Sequence, residues 1–213
     1  FELEGAKELV APMAEWKAKT PYHRIVESTP QLVKASYSEI ETPDKANAVY
    51  VAGLVIPDGR LSKDYPGLMI GNYILGSGFT SRLMSRVRKK EGLSYDVFSQ
   101  YSASHLDPRS DLFIGAMSNP MNTRKVVKVI REELDKLRGA GVTATELKAA
   151  KNGFVRRQTL QRTNDATLAI LLNVTSYRGD TMAYYKELES KIKALTVDGV
   201  NKAIKKGFES KRL

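Results

Sequence analysis

Apolar residues change their spacing several times along the chain, and each change marks an element. From Glu4 to Ala18, Leu9, Val10, Met13 and Trp16 recur at helical spacing, interrupted by Pro12. Thr20-Pro21 and Thr29-Pro30 then break the pattern, because the residue before a proline is pushed out of helical geometry. Residues 1–30 therefore read as a lead-in that lies on something, and residues 31–213 as a single domain. Leu32 to Ile40 alternates imperfectly, and Ala46 to Ile56 is rich in Val, Ala and Tyr. With the polar Glu41-Thr42-Pro43-Asp44-Lys45 between them, the two runs predict an antiparallel hairpin.

The period becomes helical from Asp64 to about Lys90, broken at Gly76-Ser77-Gly78 and stopped by Gly92. Ser94 to Ser104 and Asp111 to Ser118 predict a second hairpin about the turn His105-Leu106-Asp107-Pro108-Arg109. The remainder is helical. Asn122-Thr123 opens a helix to about Leu137, and Thr143 with Glu146 forms a capping-box start for the next. Asn164-Asp165, Thr181 and Val197 open three more. Strands followed by segregated helices predict an α+β domain, an antiparallel sheet with helices packed on one face.

Composition limits the chemistry. The 213 residues hold 42% hydrophobic and 27% charged side chains, which suits one folded domain. With no cysteine, thiolate nucleophiles and Cys-based metal sites are excluded. A cysteine-free chain suits the bacterial periplasm or the cytoplasm alike. No stretch is apolar and long enough to span a bilayer as a helix, and Phe1-Glu2-Leu3-Glu4 has none of the features of a signal peptide. The net charge of +10 raises nucleic acid as a partner, but the basic residues run the whole length instead of forming one tract. Solvated helix faces explain them, and no nucleic-acid partner is expected.

Gly71 to Ser99 is the most informative stretch. It reads as a helix, the break Gly76-Ser77-Gly78, Ser81-Arg82-Leu83, then Arg88-Lys89-Lys90-Glu91-Gly92-Leu93-Ser94-Tyr95 leading into a strand. This order closely resembles the pitrilysin family of zinc metallopeptidases, which includes insulin-degrading enzyme and the mitochondrial processing peptidase. Glu41 to Ala46 before an apolar strand and Thr145 to Lys151 in a late helix extend the likeness over nearly the whole chain. Members pair two halves of similar fold around a chamber. The first half carries His-x-x-Glu-His, whose histidines bind zinc and whose glutamate activates water. This sequence has only His23 and His105, neither in that motif, so the resemblance implies the C-terminal, non-zinc half. Zinc is expected in an N-terminal partner half, on the same polypeptide or on a separate subunit, and peptide is the expected substrate.

In the family the non-zinc half contributes an Arg and a Tyr seven residues apart to its partner's active site, and here these positions are Arg88 and Tyr95. Their chemistry suits the role. A guanidinium presents a fixed fork of donors to a carbonyl or carboxylate, and a phenol donates to the oxygen that gains charge when a carbonyl is attacked. A helical wheel sets Arg88 beside Leu83, Met84 and Val87, with Arg82, Arg86 and Lys89 on another face. Arg82 reads as a structural salt-bridge residue. Gly76 and Gly78 lack the Gly-Lys-Ser/Thr ending of a phosphate loop and read as relief of crowding at a helix–helix junction. Relatives continue past the last helix into one more strand, whereas this sequence stops at Lys211-Arg212-Leu213, which implies a sheet one strand short. The alternative reading is a structural pseudo-peptidase subunit with no catalytic role.

Overall fold

The computed structural model describes residues 3–25, 34–209 and 211. The sheet has three strands, β1 (Ala48–Ile56), β2 (Asp96–Ala103) and β3 (Ser110–Ser118). Their order is β1-β3-β2 and both pairings are antiparallel. Alternation assigns each strand two faces. Tyr50, Leu54 and Ile56 of β1, Val97 of β2 and Leu112, Ile114 and Ala116 of β3 are buried on the inner face. Val49, Val51, Phe98, Phe113 and Met117 stand exposed on the outer one. The register places Val51 and Phe98 on either side of Gly115, and a side chain there would strike the Phe98 ring.

Helices cover the inner face. After α1 (Leu3–Val10), α2 (Tyr65–Asn72) runs into a wider π turn over Tyr73–Ser77. The next helix passes into π geometry over Met84–Lys90. Then follow α3 (Thr123–Gly139), α4 (Ala144–Gln161), α5 (Asp165–Tyr177), α6 (Met182–Ala194) and α7 (Val197–Gly207). Leu68, Ile70 and Leu75, with Leu83 and Val87, form the layer nearest the sheet, joined by Ile130, Leu134 and Leu137 of α3. The helix α7 crosses α2 closely because Gly67 and Gly71 carry no side chain where Ala203 and Ile204 approach. Phe208 closes that corner, fully buried and edge-on to Tyr101. Burial pushes the Tyr101 phenol up to about 12.

The chain from Leu32 to Ile40 departs from expectation. Leu32 and Val33 lie outside the described residues, and 34–40 is not a strand. The reason is visible in its exposure. Tyr37 and Ile40 sit on opposite parities of the run and both remain in solvent, so pairing would bury neither face against the core. Lys34 to Tyr37 instead passes beside Tyr50, Val51 and Gly53, leaving a cleft of about 270 Å³. Among the described residues the expected first hairpin is therefore absent and β1 is an edge. The second hairpin is present, with β2 as the other edge.

α5 is the least packed of the later helices. Of its residues only Thr175 is buried, while Ile170, Leu172 and Tyr177 are exposed. No helix among the described residues is long and apolar enough to cross a membrane.

Candidate functional site

The helix over 82–90 and the strand β2 are joined by a five-residue turn, Glu91 to Tyr95, that fixes where Arg88 and Tyr95 lie. Gly92 takes φ +60°, a conformation costly for other residues. Beyond it, the Leu93 amide donates to the Val87 carbonyl at 2.9 Å and Leu93 is buried. The Ser94 hydroxyl donates to the Met117 carbonyl at 2.7 Å, and the Tyr95 amide donates to the same carbonyl at 2.8 Å. Tyr95 is thus pinned by its backbone at the end of the sheet, while its side chain is 61% exposed. Its hydroxyl has no hydrogen-bond partner among the described residues.

Three arginines on the preceding helix have different fates. Arg82 grips the Glu146 carboxylate with Nε and Nη2, at 2.7 and 2.9 Å, and donates from Nη2 to the Gly141 carbonyl at 2.7 Å. Arg86 is surrounded by Glu91, Glu132 and Glu133 at 3.1, 2.5 and 2.7 Å, and hydrogen bonds to Glu133 and Glu132 raise its pKa further. Arg88 pairs with none of these. Its Nη1 lies 3.9 Å from the Met84 sulfur, one turn back, and the side chain is in solvent. The helix wheel is therefore correct for Met84 and Arg88, and Arg82 is a structural salt bridge.

Gly76 corrects the helix–helix reading. A side chain there would lie 2.5 Å from the backbone nitrogen and Oγ of Ser99, so the glycine lets the helix touch strand β2. Ser99 is itself tied to α2, its hydroxyl donating to Asn72 Oδ1 at 2.7 Å, and both residues are buried. Gly78 passes the ring of Tyr73 within 2.9 Å of where a Cβ would stand. This crossing borders a cleft of about 500 Å³ lined by Tyr73, Phe98, Gln100, Phe154 and Arg157, among others.

The two histidines lie apart from this region. His23 is exposed in the lead-in. His105, in the β2–β3 turn, contacts Arg60 Nη1 through Nδ1 at 2.9 Å and the Arg178 carbonyl through Nε2 at 3.1 Å. Arg60 went unremarked in the sequence, which gives no sign of its burial. It stacks 3.5 Å above the centre of the Tyr184 ring and pairs with Asp180 at 3.0 Å, locking the loop after β1 to the α5–α6 turn. Among the described residues no group of three or more His, Cys, Asp or Glu is placed to hold a metal ion.

A family model described as the Peptidase M16 inactive domain matches residues 4–154. The chain belongs to that family. An M16 inactive domain from Pseudomonas fluorescens of known structure superposes with a TM-score of 0.79 at 25% identity, covering 100% of this chain and 49% of that one. A protein of Helicobacter pylori described as the non-peptidase homolog YmxG is 28% identical over 153 residues, 68% of this chain and 33% of its own length. An uncharacterized zinc protease of Streptomyces coelicolor is 39% identical over 77 residues, 36% of this chain and 16% of its own. This M16 inactive domain thus spans a third or less of these curated relatives and about half of the solved one. Its α+β architecture, with helices on one face of an antiparallel sheet, is that of the family.

Proposed function

We propose that this inactive domain completes the chamber of a zinc-bearing half, fused or separate, and that Arg88 and Tyr95 help bind the peptide and stabilise its transition state at that half's active site. One observation carries the reading. Of the three arginines on its helix, Arg88 alone has no carboxylate partner among the described residues, while Arg82 and Arg86 are each committed to glutamates. An exposed guanidinium and an exposed phenol flank one turn as donors available to a group from outside the chain. The open sheet face with Val49, Val51, Phe113 and Met117, and the scarcely packed α5, supply apolar surface for a second body.

On this reading zinc sits in the partner half. His23 and His105 stand in separate surroundings, and the described residues offer no ligand cluster. The metal would activate water in the partner half. The part left to Arg88 and Tyr95 is to donate hydrogen bonds to the peptide carbonyl under attack.

The test is reconstitution with the zinc-bearing half and a peptide substrate. Arg88→Ala and Tyr95→Phe each lower kcat by about 10²-fold, the scale for losing one such donor, with the fold intact. Variants that keep the full rate sink the proposal. The Helicobacter relative is described as a non-peptidase homolog, and the second reading is an assembly role alone. That reading expects stable pairing of the halves and no rate change in either variant.

A further inference from the structure

The lead-in carries an apolar stripe that none of the described residues covers. In α1, Leu3, Ala6, Leu9 and Val10 fall within an arc of about 120° at 100° per residue, with Glu4, Lys7 and Glu8 opposite. Over Ala11–Glu15 the backbone tightens to a 3₁₀ helix with Pro12 in its first turn. There the apolar spacing tightens as well, from Val10 to Met13 to Trp16. A 3₁₀ helix has three residues per turn, so these three stay on one side. The stripe is therefore kept through a change of helix type. Yet Leu3, Leu9, Val10, Met13 and Trp16 are 72, 73, 55, 60 and 82% exposed, and no residue of α1 is buried. An eight-residue helix is too short to be stable alone in water.

We infer that this stripe is a docking segment for the zinc-bearing half, an inference that rests on the pairing proposed above. Three observations select that occupant. The family match begins at residue 4, so the amphipathic segment is part of the domain's family pattern and not an appendage. The Pseudomonas structure covers the whole of this chain, lead-in included, and has about as much chain again beyond it. The polar side of α1 mixes Glu4 and Glu8 with Lys7, lacking the basic face with which amphipathic helices lie on anionic membranes.

Trp16 is the only tryptophan and reports on the contact directly. The separately produced His-x-x-Glu-His half, with a tryptophan-free background, is titrated into this chain while fluorescence and sedimentation are followed. Docking moves Trp16 emission to shorter wavelength and cuts acrylamide quenching by about twofold or more as the side chain leaves water. Leu9→Glu with Met13→Glu, both at exposed positions, weakens association by about tenfold or more. Association with Trp16 still fully quenchable overturns the docking while leaving the pairing intact. An absence of association overturns both. A Trp16 shift that arises without the zinc half, on concentrating this chain or adding phosphatidylglycerol vesicles, assigns the stripe to a second copy or a membrane and overturns it too.

Discussion

Arg82 and Glu146 hold each other across 64 positions of sequence by two hydrogen bonds, at 2.7 and 2.9 Å. Glu146 serves two ends at once. Its carboxylate accepts from the Thr143 backbone amide at 2.8 Å, closing the capping box of α4, while it receives the guanidinium of the helix that bears Arg88. The start of α4 is thereby fastened to the Arg88 helix, and the position of Arg88 depends on an ion pair it takes no part in.

Arg82→Ala removes the pair but leaves the cap, and is expected to cost about 1.5–3 kcal/mol, the range for hydrogen bonds to charged groups. Glu146→Ala removes both and should cost about 1 kcal/mol more. Urea unfolding of the two variants measures the difference. Equal losses would mean that the capping contacts contribute nothing to stability.

Gly76→Ala forces a methyl to within 2.5 Å of the Ser99 nitrogen, and Ser99 is held in place by Asn72. Overpacking of this kind is expected to destabilise by about 1–3 kcal/mol. Gly139→Ala is the control at the end of α3, where no atom lies within 4 Å of the new methyl. It should leave stability unchanged or raise it by less than about 1 kcal/mol. Thermal melts of both proteins test whether contact with the strand, and not loss of glycine as such, sets the effect.

Why some of this was legible in the sequence is a matter of range. The capping box at Thr143 and Glu146 is a contact between residues three apart, so the sequence holds all of it. The hairpin of β2 and β3 could be read because one face packs on the core and alternation follows. Residues 34–40 misled because loose alternation does not reveal whether a core lies beneath it. The apolar run in α5 marks a helix correctly but cannot say that only Thr175 is covered. Arg82, Arg86 and Arg88 look alike as letters. What separates them is where Glu91, Glu132, Glu133 and Glu146 arrive once the helices pack, and no local spacing contains that.

Acid should loosen the Arg88 region before the core. Burial raises the Glu146 carboxyl, but the hydrogen bonds from Arg82 and from the Thr143 amide outweigh it and leave its pKa below the usual 4.5. The hydrogen bond from Arg86 lowers Glu91 likewise. A carboxylate with a depressed pKa in the folded state contributes stability that is complete above its unfolded pKa. That contribution is lost as pH falls from about 4.5 through the folded value. The urea midpoint should therefore drop as pH is lowered from about 5 to 3, with a shallower drop in Arg82→Ala, where Glu146 has lost its main support. Parallel curves for the two proteins would remove Glu146 from the explanation.

Arg86 and Arg88, two positions apart, should separate stability from function. Arg86→Ala leaves Glu133, 7% exposed, with Lys136 as its remaining partner and beside Glu132 and Glu91, and is expected to destabilise the fold by about 2 kcal/mol. Arg88→Ala touches only the Met84 sulfur and should shift stability by less than about 0.5 kcal/mol. With the zinc-bearing half present the order reverses for catalysis at a temperature where all variants are folded. Arg88→Ala and Tyr95→Phe lose rate, and Arg86→Ala keeps it. The kinetic constants then tell what the donors do. If the hydrogen bonds form only as the carbonyl oxygen gains charge, kcat and kcat/KM fall together and KM stays put. If they merely hold the peptide, KM rises and kcat is unchanged. The proposal made for Tyr95 requires the first pattern, since a phenol bonds a developing oxyanion more strongly than the neutral amide carbonyl and that difference raises kcat.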